Sequence, residues 1–279
     1  MKDSLKQALV HGVSLTYLEQ GQGEPVVFVH GAITDHRAWE GQREEISKAF
    51  RYIAVDLRYF GTAPWLDDGS QYSAATHASD LAAFIEQLNV GPVHVVAWSY
   101  GGTVALVLAA QRADLIRSLF LNEPALGSLV VDPAEQAAIV EERRGFAPIV
   151  AASSRGDYAQ AVRLLTDWVN NLPGSFEGLS ATFRAMILEN GRTLRPHFAA
   201  QPSTIACARF ESLNVPVTVA KGQDSGPFFK ILADATHRCI SASRLVVIPN
   251  ARHMAPVQNA PAFNAALLAH LGACSPRAA

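Results

Sequence analysis

The chain has 279 residues, 49% of them hydrophobic and 17% charged, and carries a net charge of -2. A charged fraction below the ~25% usual in soluble chains excludes a disordered or coiled-coil protein, and the near-neutral balance gives no basic field for nucleic acid. No apolar run reaches the ~20 residues needed to cross a bilayer, and residues 1–6 lead into mixed sequence, not a signal-peptide core, so a cytoplasmic, non-membrane protein with a small-molecule partner is expected.

Over the first 122 residues short apolar runs alternate with helical patterns, the signature of βαβ units. Strands are predicted over 14–19, 25–30, 52–56, 93–97 and 118–121. A helix is predicted over 73–89, where Ala74, Ala78, Leu81, Ala82, Ile85 and Leu88 form one stripe, and another over 100–112, apolar almost all round. From 124 to about 214 the strand pattern stops. Helical periods run over 134–144, 157–171, 176–189 and 204–213, with breakers at Pro148, Gly156, Pro173-Gly174 and Gly191. Strands return at 216–220 and 245–248 around a helix at 227–238; a last helix covers 261–271 and the tail 275–279 is expected to fray. The expected architecture is α/β: a mostly parallel central sheet flanked by helices, built from residues 1–123 and 215–279, with an all-helical cap at 124–214 inserted after the strand ending near Glu123. Cys207, Cys239 and Cys274, odd in number and not spaced as zinc ligands, read as reduced packing thiols. No metal site and no cofactor are expected, and homo-oligomerisation is left open.

The segment from Val93 to Gly102 is an apolar strand that turns through Ser99 straight into a helix, with Ala97 and Gly101 two positions to either side. So sharp a turn needs small residues there to let helix and strand backbones approach, and it presents the serine at a helix N-terminus, whose dipole favours a developing oxyanion. Ser99 is therefore the candidate nucleophile. The run Val26 to Ala32 ends in His30-Gly31, where glycine permits a tight exit. That exit turns the Ala32 amide toward Ser99, and with the Tyr100 amide it would form a two-donor oxyanion hole. His30 itself is expected to make a structural hydrogen bond in that loop.

These features resemble the α/β-hydrolase superfamily, in its serine-nucleophile branch with a helical cap. The resemblance is carried by His30-Gly31, by Val55-Asp56-Leu57-Arg58 followed by Gly61, by the Ser99 turn, and by Asn250-Ala251-Arg252-His253 after the last strand. The superfamily order of serine, acid, then histidine is also kept. Of the nine histidines, His253 alone lies where the family's general base falls, which implies that role for it. Tyr59 stands where the family commonly has glycine, so its loop is expected to carry a bulky group toward the pocket.

The acid has two candidates. Family members commonly read Gly-x-x-Asp after the strand at 216–220, whereas this chain reads Gly222-Gln223-Asp224-Ser225. Asp224 comes one residue early, and one step along an extended loop turns a side chain to roughly the opposite side. Glu123 is favoured: it closes the strand after the Ser99 helix, where haloalkane dehalogenases and zearalenone-type lactonases of this superfamily place their acid. Trp98 and Ile33 are candidate pocket residues. In the insert, Trp168, Phe176, Phe183, Met186, Phe198 and Phe210 read more as cap core than as pocket lining.

The resemblance implies a cofactor-free serine hydrolase that cleaves a small, largely apolar carboxylic ester or lactone through a Ser-His-acid triad and an acyl-enzyme. Two alternatives stay open: hydrolysis of a carbon-carbon bond in a diketone-like compound on the same triad, and a slow-turnover ligand sensor of the same fold. Epoxide and haloalkane hydrolysis are disfavoured, since both need a carboxylate where Ser99 stands.

Overall fold

The computed structural model describes residues 5–274, so the expectation for 275–279 lies outside the described residues. Eight strands occur among them: β1 (Lys6–Val10), β2 (Val13–Gln20), β3 (Pro25–Val29), β4 (Arg51–Val55), β5 (Val93–Trp98), β6 (Ile116–Asn122), β7 (Val217–Gly222) and β8 (Arg244–Ile248). They form one sheet in the order β1-β2-β4-β3-β5-β6-β7-β8. β2 pairs antiparallel with both β1 and β4, and every other pair is parallel. The central strands are legible because they are buried on both faces and read as apolar runs, as Pro25–Val29 does. β1 is an edge strand that buries only Ala8 and Val10 and leaves Leu9 exposed, so its pattern is too short to register as an element of the βαβ alternation.

The helices are α1 (Glu40–Ile46), α2 (Ala74–Leu88), α3 (Tyr100–Arg112), α4 (Pro133–Arg143), α5 (Ala147–Ser154), α6 (Tyr158–Asn170), α7 (Ala181–Glu189), α8 (Leu194–Ala199), α9 (Pro227–Cys239), α10 (Ala255–Gln258) and α11 (Ala260–Cys274). On one side of the sheet Val27, Val95 and Leu119 pack with Leu81 and Ile85 of α2 and Leu106 of α3. On the other, Phe28 and Phe120 pack with Trp39 and with Phe263 and Leu267 of α11. Helices α4 to α8 lie between β6 and β7, an all-helical insertion.

Four local expectations change. The helix expected over 204–213 is a single 3₁₀ turn at Cys207–Phe210. α7 begins at Ala181, not at 176, because Ser180 caps it by accepting the Phe183 amide hydrogen. Pro148 sits in the first turn of α5, where a missing N–H costs nothing, and so opens a helix instead of breaking one. Cys207 and Cys239 are joined in a disulfide with a Cα–Cα distance of 4.9 Å, leaving Cys274 free. The reading of three reduced thiols is thus corrected. Their 32-residue separation crosses the end of the insertion and gives no sequence cue. No helix among the described residues is long and apolar enough to cross a membrane.

The insertion is fastened to the loops at the sheet edge by polar bonds, the two to Asn190 buried. Asn190 accepts from the Gly61 amide at 2.8 Å and donates to Asp35 at 2.8 Å, while Arg37 links Asp35 to Glu189 on α7. Arg192 donates to the Ala63 carbonyl at 2.8 Å. Breaking either of the two buried Asn190 bonds would strand a buried polar group, at a cost of about 1–3 kcal/mol.

Candidate active site

Ser99 joins β5 to α3 with φ 56° and ψ -117°, a backbone that a non-glycine residue adopts only where its surroundings hold it. Here its N–H donates to Asn122 at 3.0 Å, and its carbonyl accepts from Ala125 at 3.0 Å and Thr103 at 3.2 Å. The small residues around it have a measurable reason. A Cβ on Gly101 would fall 2.3 Å from the His30 carbonyl oxygen, and one on Gly102 would fall 2.7 Å from Pro124. Gly31 packs against the serine itself, its would-be Cβ 3.3 Å from the Ser99 Cβ.

His253, in the loop between β8 and α10, lies with Nε2 2.9 Å from Ser99 Oγ. Its Nδ1 is 2.6 Å from Oε2 of Glu123, the residue just after β6. A carboxylate only accepts, so Nδ1 carries the proton and Nε2 is left to accept from the serine hydroxyl. Glu123 is fully buried and also takes φ above zero, at 44°. Its other oxygen accepts from the Gly222 amide at 2.9 Å and from the Ser225 hydroxyl, so the buried charge is fully engaged. Phe229 of α9 stacks on the His253 ring, centroids 3.5 Å apart and planes 18° apart, and Trp98 approaches it at 5.7 Å. Asp224 does not join this group. It is exposed, and its backbone carbonyl accepts from Arg252 at 3.0 Å.

His30 is buried, accepts the Leu57 amide hydrogen at Nε2 over 3.1 Å, and uses Nδ1 on the Gly31 carbonyl at 2.8 Å. Burial holds its pKa below the ordinary histidine value, so it is a neutral strut between the β3 and β4 loops. The amides of Ala32 and Tyr100 find no backbone acceptor among the described residues. Asp35, His36 and Asp56 come within 4.8 Å of one another, but Asp35 is already held by Arg37 and Asn190, and Asp56 by His36.

Above Ser99 opens a cavity of about 680 Å³ between the sheet and the insertion. Ala32, Ile33, Trp98, Ser99, Tyr100 and His253 all line it. Among the large apolar residues of the insert, Trp168, Phe183 and Phe198 face the cavity, while Phe176, Met186 and Phe210 pack in the core. Tyr59 is a correction: with φ 76° it turns away from the cavity, meets Trp65 edge to face and donates its hydroxyl to Asp67 at 2.9 Å. Sequence reasoning missed Phe228 and Phe229 and the cavity-facing His197. The available cue for the pair was their place just beyond the C-terminal end of β7, where open α/β sheets bind ligands. His197 is held neutral by burial, which lowers its pKa to about 4, and lies 3.2 Å from the Tyr72 hydroxyl.

Fold and site together match one family. The alpha/beta hydrolase fold family matches residues 24–260, and the chain belongs to it. Among individual relatives, the soluble epoxide hydrolase of Corynebacterium sp. (strain C12) is 30% identical over 41% of this chain and 40% of its own length. The first relatives of 30 to 37% identity are matched over only 38 to 42% of their own lengths. The pimeloyl-[acyl-carrier protein] methyl ester esterase of Neisseria meningitidis is 25% identical over 86% of this chain and 90% of its own. A solved esterase from Exiguobacterium antarcticum superposes with a TM-score of 0.77 at 19% identity, covering 97% of this chain and 99% of its own, which is a likeness of fold.

Proposed function

We propose that the protein is a cofactor-free serine hydrolase acting on a small, largely apolar carboxylic ester or lactone, with residues 1–123 and 215–279 as its core and 124–214 as its cap. One observation carries this reading: the continuous line from Ser99 Oγ through both nitrogens of His253 to Glu123, at 2.9 and 2.6 Å, in the floor of the large cavity. In the proposed cycle Ser99 Oγ bonds to the ester carbonyl carbon while its proton passes to His253 Nε2. The Ala32 and Tyr100 amides donate to the oxyanion, and Glu123 balances the imidazolium. The imidazolium then protonates the departing alkoxy oxygen as the carbon–oxygen bond breaks, leaving an acyl-serine. A water molecule yields its proton to Nε2 and attacks that ester, the acid leaves, and the proton returns to Ser99.

The serine supports this chemistry over the epoxide and haloalkane chemistries named among the relatives, which need a carboxylate at position 99. Ser99→Ala should abolish turnover of short p-nitrophenyl esters; activity retained by that variant would defeat the reading.

A further inference from the structure

We propose that the substrate carries a carboxylate at the end of its acyl chain remote from the ester, and that Arg143 binds it. This rests on the hydrolase reading above and names the substrate class of that same site.

α4 turns one face to the cavity: Gln136, Ile139, Val140 and Arg143, spaced as neighbours on successive helical turns, all line it. Among the described residues of the cavity wall there is no aspartate, glutamate or lysine, and Arg143 is the one permanently charged side chain. It is also unspent. Its chain neighbour Arg144 pairs with Glu141, and elsewhere in or beside the insertion Arg163 pairs with Glu177 and Arg238 with Glu135. Arg143 makes no ion pair and no side-chain hydrogen bond among the described residues.

The guanidinium is nevertheless placed. Its Cζ lies 6.0 Å from the centre of the Phe228 ring, a cation–π contact, and its Nη2 rests over Gly127. A Cβ on Gly127 would stand 2.7 Å from that nitrogen, so glycine keeps the space open. From the cation an aromatic wall leads to the reacting group: Phe228 to Phe229 at 5.1 Å, then Phe229 to His253 at 3.5 Å. An apolar chain laid along these rings would have its ester at Ser99 and its far end at Arg143. The planar fork of arginine matches a carboxylate in two parallel hydrogen bonds, and one cation in a wall with no second one suits a monoanion better than a phosphate dianion.

The test uses the Ser99→Ala protein, which leaves the ligand intact, with Trp98 and Trp168 in the cavity wall as fluorescent reporters. Monomethyl half-esters of linear dicarboxylic acids of increasing length are titrated against the matching dimethyl diesters, a phosphate-tailed methyl ester and a trimethylammonium-tailed one. At the matching length the half-ester should bind about tenfold to a hundredfold tighter than the diester, and less so as salt rises. Adding Arg143→Gln should remove that preference, and adding Arg143→Glu should shift it toward the trimethylammonium ligand. Arg143 is exposed, so neither change threatens folding. Equal affinity for half-ester and diester at every length, no binding of either, a preference that survives Arg143→Gln, or tighter binding of the phosphate ligand would each overturn the proposal. Hydrolysis of a neutral ester by the wild-type protein is a separate measurement, so the failure of one claim is distinguishable from that of the other.

Discussion

The hydroxyl of Ser225 donates to the same oxygen of Glu123 that accepts the Gly222 amide, so position 225 serves a carboxylate it does not itself carry. In the pattern Gly-x-x-Asp this is the acid's own position; here a serine stands there and bonds to the carboxylate at the end of the neighbouring strand, the acid of the proposed triad.

Two consequences for activity follow from that relationship. Glu123→Gln keeps the shape but can no longer fix the His253 tautomer or balance its charge, and should lower kcat on a short ester by about 10³ to 10⁴-fold. Combining Glu123→Gln with Ser225→Asp should recover part of that loss, because the new carboxylate would start beside the old one. A double variant no more active than Glu123→Gln would show that position 225 cannot reach the histidine.

Phe229 stacks flat on the His253 ring and holds it in the plane that meets both Ser99 and Glu123. Phe229→Ala should lower kcat by about tenfold or more through misplacement of the base, with Phe229→Tyr close to wild type. Steady-state kinetics on a p-nitrophenyl ester check this; an unchanged kcat in the alanine variant would mean that the stack is packing alone.

Several histidines are buried in neutral form. Burial lowers the pKa of His77 to about 3 and of His197 and His270 to about 4, and it lowers His30 and His94 as well. The ordinary value is 6.5, so below it the unfolded chain takes up protons that the folded one refuses, and stability falls as pH drops from about 6.5 toward 4. At about pH 5.5 each of the three strongest cases costs on the order of 1 kcal/mol. His36, raised by its hydrogen bond to Asp56 against the opposing effect of burial, works in the other direction but is one group against five. Urea titrations at pH 7 and pH 5.5 should therefore show a clearly lower midpoint in acid; equal midpoints would contradict the burial of these rings in neutral form.

The Cys207–Cys239 bond ties the segment leading out of the insertion to α9 across 32 residues. Loop-closure entropy for that separation amounts to about 3 to 4 kcal/mol. Reduction of the native protein should lower its melting temperature by several degrees. A melting temperature indifferent to reductant would show that the bond adds no constraint.

What the sequence makes legible divides along physical lines. Ser99 and Gly101 stand out because a strand that turns straight into a helix tolerates few residues, and the close approach to His30 shows why. Glu123 was one of two candidates, since only three-dimensional placement distinguishes a buried carboxylate at a strand end from an exposed one in a loop. The pairing of Cys207 with Cys239 and the stacking of Phe229 on His253 depend on contacts between distant segments, for which local pattern carries no signal. Tyr59 misled because its positive φ fits the glycine expected there, while the side chain follows the backbone away from the cavity.

In the proposed reaction Ser99 becomes acylated during turnover. Rapid quenching of the protein with a slowly deacylating p-nitrophenyl ester, followed by peptide mass spectrometry, tests it most directly. The expected result is a burst of nitrophenol approaching one per active site and an acyl mass increment on the peptide containing Ser99, absent from the Ser99→Ala protein. Sustained turnover with an acyl group on another residue, or with the Ser99→Ala protein equally active, would contradict it.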